Sequence, residues 1–238
     1  GEPPLRDALF QAEKMHAMST LAPGFIHDAG TPLMAISSLS QFLGEKSGDP
    51  QVKENLRQIG RSVDQLTQIL RTIADFSRPI RTGQETVYLN SLIMEAVRIV
   101  KHDRRLKYRE VGTELEAAIP QVSANPDQLL QVIISLCLNA ADALETVPAG
   151  TLTLKSWQDG DKVHLAVKDS GTGIPLADQS ALYTPWFTTK GSRGCGLGLF
   201  LSRSIITAHG GTIGIVSDPG KGTCVEIVLP ALAAERGA

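Results

Sequence analysis

Val52, Leu56, Ile59, Val63, Leu66, Leu70 and Ile73 follow one another at alternating four- and three-residue steps, and no feature of the chain restricts its fold more. Such steps return apolar side chains to one side of a 3.6-residue helix, so they predict a single helix over residues 51–77. Its other faces carry Gln, Arg, Asp, Glu and Lys. A second seam comes before it. Positions 5, 8, 12, 15, 19, 22, 26, 29, 33, 36, 40 and 43 keep the same spacing, broken only by Ser19 and Ser40. That seam predicts a helix over residues 5–43, ~58 Å long at 1.5 Å per residue. Gly44, Gly48, Asp49 and Pro50 separate the two, with the proline placed to open the second helix. Two such helices make an antiparallel hairpin. One hairpin cannot cover both of its seams, so pairing with a second copy into a four-helix bundle is expected, giving a homodimer.

The first helix carries a reactive group on its flank. In LAPGFIHDAGTPLMAI, residues 21–36, the apolar stripe is Ala22, Ile26, Ala29, Leu33 and Ile36. His27 stands at the stripe's polar edge. A helical side chain leans over the preceding turn, here Pro23 and Gly24, whose small size leaves space above the imidazole. Asp28 follows His27, and Thr31 lies one turn on. Pro32 removes a donor and predicts a kink. Two prolines inside an apolar-periodic helix cost roughly 3 kcal/mol each, and a distortion kept on both sides of a His–Asp pair points to a functional site rather than a solvated histidine.

The 238 residues carry a net charge of −2, which suits one or two soluble domains and leaves no footprint for nucleic acid or an anionic membrane. The longest apolar run, LLQVIISLCL, is too short to span a bilayer, and no signal peptide is recognisable, so no direct membrane segment is expected. Cys137, Cys195 and Cys224 form neither a disulfide framework nor a zinc site, which favours a reducing, cytoplasmic setting. The start at GEPPL, without Met, reads as a piece of something longer.

SRPIRTGQE, residues 77–85, is polar and proline-broken. The linker is placed at 81–86, between a helical domain at 1–80 and a second domain at 87–238. In that second domain TVYLNSLIMEAVRIVKHDRR predicts a strand and a helix, and KYREVGTELEAAIPQVSAN two strands joined by a turn. PDQLLQVIISLCLNAADALE predicts an apolar helix opened by Pro126 and Asp127. TLTLKSWQDGDKVHLAVKDSG predicts a hairpin turning at Asp159–Gly160. LGLFLSRSIITAHGG predicts a helix ending at Gly210 and Gly211, and TIGIVSDPGKGTCVEIVLP a closing hairpin, with a frayed tail after Pro230. Helices mixed with antiparallel hairpins indicate an α+β two-layer sandwich with the helices on one face of the sheet.

Four stretches of this domain carry chemistry. Asn139 offers an amide oxygen, a hard ligand suited to Mg2+, from within an apolar helix, with Asp142 one turn on. In KDSGTGIP a strand delivers Asp169 and turns through Gly171 and Gly173, so a carboxylate meets a backbone that a purine can approach. YTPWFTTKGSRG is a long polar loop with Trp186, Phe187, Lys190 and Arg193, the composition of a lid. GCGLGL, residues 194–199, feeds a helix N-terminus, where exposed N–H groups and the helix dipole favour phosphate.

In this order and spacing, over about residues 5–232, these pieces resemble the catalytic core of the two-component sensor histidine kinases, and the lead-in LFQAEKMHAMSTLAPGFIHD is similar to their nitrogen-sensor-like branch. HDAGTPL looks like the H-box, NAADAL the N-box, DSGTGIP the first glycine box, PWFTTK the F-box, GCGLGL the second glycine box, and GKGT, with Thr223, the last. The resemblance implies a helical hairpin followed by a sandwich of the histidine-kinase, gyrase and Hsp90 ATPase type. It implies ATP and Mg2+, with His27 as phosphoacceptor, Asp28 as the acid that orients it and takes its proton, and Thr31 serving dephosphorylation of the partner. Asn139 would ligate Mg2+ and Asp169 read adenine. Lys190 and the turn of Gly194, Gly196, Leu197 and Gly198 would hold phosphates, with Asp142, Gly171, Gly173 and Thr223 completing the nucleotide site. The phosphoryl group would pass to an aspartate in the receiver domain of a separate response regulator, and a sensor domain would stand upstream.

The sequence departs from the family in places. Asp28 stands where Glu is usual, Pro23 where a freer helix former is common, and Ser135 one turn before Asn139, where relatives often have Asn, Glu or His. Asp142 replaces a basic residue seen in many sensor kinases, removing one possible phosphate contact. Two other classes compete: a catalytically weak dimeric scaffold, and an ATP-driven clamp of the gyrase type. The clamp needs a Glu one turn before the Asn as a base. Ser135 cannot serve as one at neutral pH.

Overall fold

The computed structural model describes residues 29–77, 84–189 and 196–232. They form two units, one of residues 29–77 and one of residues 84–188 with 196–232.

In the first unit residues 29–46 (α1) and Pro50–Ser77 (α2) are helical. Helix α1 runs through Pro32 without interruption, with Thr31 inside it. The turn follows its chemistry. Asp49 Oδ1 accepts the N–H of Gln51 at 2.7 Å, and Pro50 fills the first helical position, where no donor is needed. The long seam of α2 divides in two. Val63 and Leu70 are buried, whereas Val52, Ile59 and Leu66 remain 41%, 44% and 49% exposed. In α1 the pattern is corrected: Ser40, which breaks the seam, is buried, and Ile36 and Leu43 are exposed. At Gly44 a Cβ would stand 3.9 Å from the Leu56 side chain, an ordinary packing distance between the two helices.

The second unit opens with β1 (Glu85–Val87), so Glu85 and Thr86 belong to a strand and not to the linker expected at 81–86. Helix α3 (Leu89–Val100), β2 (Glu110–Leu115), β3 (Val122–Ala124) and α4 (Pro126–Glu145) follow. Then come β4 (Thr151–Asp159), β5 (Lys162–Asp169), the short α5 (Leu176–Gln179), α6 (Gly198–Ala208), β6 (Thr212–Asp218) and β7 (Gly222–Pro230). The main sheet has the order β2-β4-β5-β7-β6, with β2 parallel to β4 and every other pair antiparallel. β2 and β3 are not a hairpin: β3 pairs with β1 in a separate two-stranded sheet. The β4–β5 turn is Gly160–Asp161, one residue later than expected, because Asp159 pairs with Lys162. Beyond Pro230, Ala231 still bridges to Val122.

Alternation builds the core. Leu152, Leu154 and Ser156 of β4 and Val163, Leu165 and Val167 of β5 turn to the helical side, as a two-residue period requires. Over them lies α4, which also packs on α3 and α6. Its buried residues are Leu129, Val132, Ile133, Leu136, Cys137, Ala140, Ala141 and Leu144. A buried Leu or Ile contributes roughly 1.5–3 kcal/mol, so α4 adds substantially to the stability of this core. By length and composition alone α4 is long and apolar enough to cross a membrane, but its apolar side lies in this core. Asn125 caps it, its side chain accepting from the Gln128 N–H at 3.1 Å, which is worth about 1 kcal/mol. Arg109 closes the other end, donating to the carbonyls of Val147 and Pro148.

Candidate functional site

The same alternation that buries Val163, Leu165 and Val167 brings Asp169 to the helical side at the end of β5, where it is 5% exposed. Thr223 of β7 pairs with it across the sheet. Asp169 Oδ1 accepts the Gly171 N–H at 2.8 Å and the Thr223 N–H at 3.3 Å. Burial pushes this carboxyl above the usual range, and the two backbone donors oppose that shift. The Thr223 hydroxyl lies 2.8 Å from Ser217 Oγ, which accepts the Ile174 N–H, also at 2.8 Å. Gln179 Nε2 donates to the carbonyls of Ile174 and Ser217. The segment after Asp169 is thus fastened to the β6–β7 hairpin. Gly173 and Gly222 make this possible. Both have positive φ, and a Cβ on either would stand 2.0 Å from a carbonyl oxygen, that of Asp218 and that of Asp169 respectively.

Helix α4 crosses the site from one side. The Ala143 carbonyl accepts the Thr172 N–H at 3.2 Å and lies against Gly171. One turn earlier on the same face is Asn139, and one turn before that Ser135. A Cβ on Gly198 would stand 3.1 Å from Ser135 Oγ and 3.7 Å from Asn139 Nδ2, so the start of α6 faces these two side chains. A larger residue at 135 would crowd that approach, which gives the serine a packing reason. The Leu197 side chain makes no capping hydrogen bond to α6, unlike that of Asn125 to α4. An anion suits that position. The Leu197 side chain is buried, so what it offers there is backbone. The Trp186 N–H donates to the Gly196 carbonyl at 3.0 Å, joining PWF to the second glycine turn, and Trp186 itself has φ 69°. Tyr183 anchors the stem of this loop, donating to the Ile213 carbonyl under the Arg203 guanidinium.

The expected residues are joined in part where the structure describes them: Asp169 with Gly171 and Thr223, Asn139 with Gly198, and Gly196 with Trp186. The Asp142 carboxylate is paired with Arg105. His27, Asp28, Lys190 and Gly194 lie outside the described residues, as do Pro23, Arg193 and Cys195. Arg105, Ser217 and Gln179 were not foreseen. Their partners are 37, 6 and 38 residues away or engaged through backbone, and nothing local announces such contacts. Cys137 is buried, which pushes its thiol up to about 12 and leaves it inert.

Among the described residues no group of three His, Cys, Asp or Glu could cage a metal. One amide oxygen at Asn139, beside an anion-ready helix end, does fit Mg2+, an ion that keeps its waters and takes further ligands from substrate phosphates.

A buried carboxylate at a strand end and an amide on the helix facing the start of α6 accord with a nucleotide-binding domain. Residues 124–233 match the family described as histidine kinase-, DNA gyrase B- and HSP90-like ATPase, and residues 17–81 match the His Kinase A (phospho-acceptor) domain. The sensor histidine kinase ZraS of Escherichia coli K12 is 31% identical over 227 residues, covering 95% of this chain and 48% of ZraS. The full-length kinase ShkA in complex with AMPPNP has the same fold, with a TM-score of 0.70 at 20% identity over 90% of this chain and 47% of that one. The histidine kinase ThkA in complex with the response regulator protein TrrA gives a TM-score of 0.66 at 24% identity, covering 93% of this chain and 64% of ThkA. The chain belongs to the two-component sensor histidine kinases and comprises their catalytic core. It spans about half the length of the ZraS relatives it matches.

Proposed function

We propose that the chain transfers the γ-phosphoryl group of ATP to His27 and thence to an aspartate of a separate response regulator. The single observation that carries this is the pairing of Asp169 with Gly171 and Thr223 at one end of a cleft whose other end is Asn139 over the start of α6. One carboxylate oxygen is occupied by backbone, and the other suits an amino group such as that of adenine. The distance along α4 from Ala143 to Asn139 is one turn, so base and phosphates are served by successive turns of one helix.

Asn139 would hold Mg2+, which neutralises the charge of the phosphates. The α6 N–H groups, with Lys190 and Gly194, would orient them. The His27 ring nitrogen bonds to the γ-phosphorus as the bond to ADP breaks, and Asp28 accepts the proton that the imidazole gives up. Thr31, on the exposed face of α1, is placed in sequence to orient water for dephosphorylation of the regulator. The complex of ThkA with a response regulator and that of ShkA with AMPPNP support these partners. The exposed Val52, Ile59 and Leu66 support a homodimer through α2. Free cysteines and a catalytic core of this family support a cytoplasmic location, with a sensor domain upstream.

Incubation with γ-labelled ATP and Mg2+ tests the reading. Label stable to alkali, lost in acid and absent from His27→Ala is expected. Steady phosphate release without labelled protein would replace it with the clamp, and nucleotide binding without either with a scaffold.

A further inference from the structure

On the cleft side of α4 a guanidinium joins two carboxylates that the scheme above leaves unused. Arg105, between α3 and β2, donates through Nε and Nη2 to the two oxygens of Asp103 at 2.9 and 2.7 Å, and through Nη1 to Asp142. The Arg105, Asp103 and Asp142 side chains are only 27%, 23% and 29% exposed, so solvent screens the cluster less than a surface pair. Asp103 also accepts the Arg105 N–H at 2.9 Å, which fixes the arginine's backbone and fork together. Asp142 lies three residues after Asn139, on the same face of α4, and directly before Ala143, whose carbonyl meets Thr172 beside the Asp169 turn. The carboxylate therefore sits on the stretch of helix between the residue serving the phosphates and the one serving the base. An anion there opposes a polyanionic substrate.

We infer that Arg105 is a positioning residue of the nucleotide site: held by Asp103, it offsets the charge of Asp142, so that the cluster meets the phosphates of ATP with one negative charge instead of two. The basic group that this family often carries at position 142 is replaced by an acid on the helix and an arginine from the α3–β2 loop. Lysine cannot substitute, since it lacks the planar fork that grips Asp103 and Asp142 at once. The inference rests on Asn139 marking the phosphate end.

The test is equilibrium binding of adenosine, ADP and AMPPNP, with Mg2+, to the full chain and to Arg105→Gln, Asp142→Asn and the double variant. Arg105→Gln should weaken AMPPNP about tenfold, ADP less, and adenosine by under about twofold, because the penalty is repulsion of phosphate. Asp142→Asn alone is the reference against which the double variant is read. The double variant should recover AMPPNP affinity to within about threefold, since one of the two negative charges is gone. Equal weakening of all three ligands, or no recovery in the double variant, overturns the proposal. Should Arg105→Gln fail to fold, Arg105→Lys, which keeps a cation but lacks the fork, must give the same ranking in weaker form, and a flat ranking overturns it. Asp169→Asn separates the two levels: if it leaves adenosine binding intact, the nucleotide site itself is misplaced, whatever Arg105 does.

Discussion

The Asn125 N–H donates to His209 Nε2 across 3.0 Å, so the last turn of α6 holds the first turn of α4. The other ring nitrogen, Nδ1, donates to the Ile205 carbonyl at 2.8 Å. At the far end Gly198 meets Ser135 and Asn139. These two contacts set the antiparallel register of the helices that frame the cleft, and so the height of the α6 N-terminus against the Asn139 amide.

His209→Ala removes both side-chain bonds and leaves a cavity; the Asn125 N–H loses this acceptor, while the Ile205 carbonyl keeps the backbone N–H of residue 209. The expected cost is roughly 2–4 kcal/mol in urea unfolding, with weaker AMPPNP binding as the register loosens. Unchanged unfolding midpoints would show that the ring is not a tie between the helices.

Asp169→Asn should stabilise the nucleotide-free protein while abolishing ATP binding. Burial raises this carboxyl in the folded chain above its unfolded value, so the folded state binds the proton more tightly. Stability therefore falls as pH rises from the unfolded value through the folded one, where a charge must be kept buried. The gain from Asn should be present at pH 7 and vanish on acidification through the raised value, where the wild-type carboxyl is itself neutral. Thermal melts across pH check this.

Gly222→Ala should cost at least ~2 kcal/mol and eliminate nucleotide binding. Its φ is +101°, and the new Cβ would stand 2.0 Å from the Asp169 carbonyl. Gly214→Ala, with nothing within 4 Å of its Cβ, should lie within about 0.5 kcal/mol of the parent and serves as the control.

Ile59→Glu or Leu66→Glu should convert a dimer to a monomer in sedimentation equilibrium, since both residues are more than 40% exposed on the single chain and repeat at heptad spacing. The isolated ATP-binding unit, built around α4, should still bind AMPPNP. A dimer that persists with both charges in place would mean the copies meet elsewhere.

Local chemistry carried much of this protein in its sequence. The Asp49–Pro50 start of α2, the Asn125–Pro126 start of α4 and the two closing hairpins are set by caps, apolar period and turn glycines, all within a few residues. The glycine boxes were legible for the same reason: Gly171, Gly173, Gly196 and Gly198 mark where backbone must come close. Other features were not legible. That β3 leaves the main sheet to pair with β1, and that Ser40 is buried while Ile36 is exposed, depend on which surfaces meet, and periodicity is silent about partners.

What the chain determined by itself is most of the list of elements and Asn139 and Asp169 as candidates, with Thr223 added by the resemblance of GKGT to the last glycine box, because period, capping and strand alternation act over neighbouring residues. Tertiary structure alone decided which side chains meet: Asp142 with Arg105, Asn125 with His209, Thr223 with Asp169. Those partners lie 37, 84 and 54 residues apart, and only the closing of the sheet and the laying of α4 across it bring them within hydrogen-bonding reach.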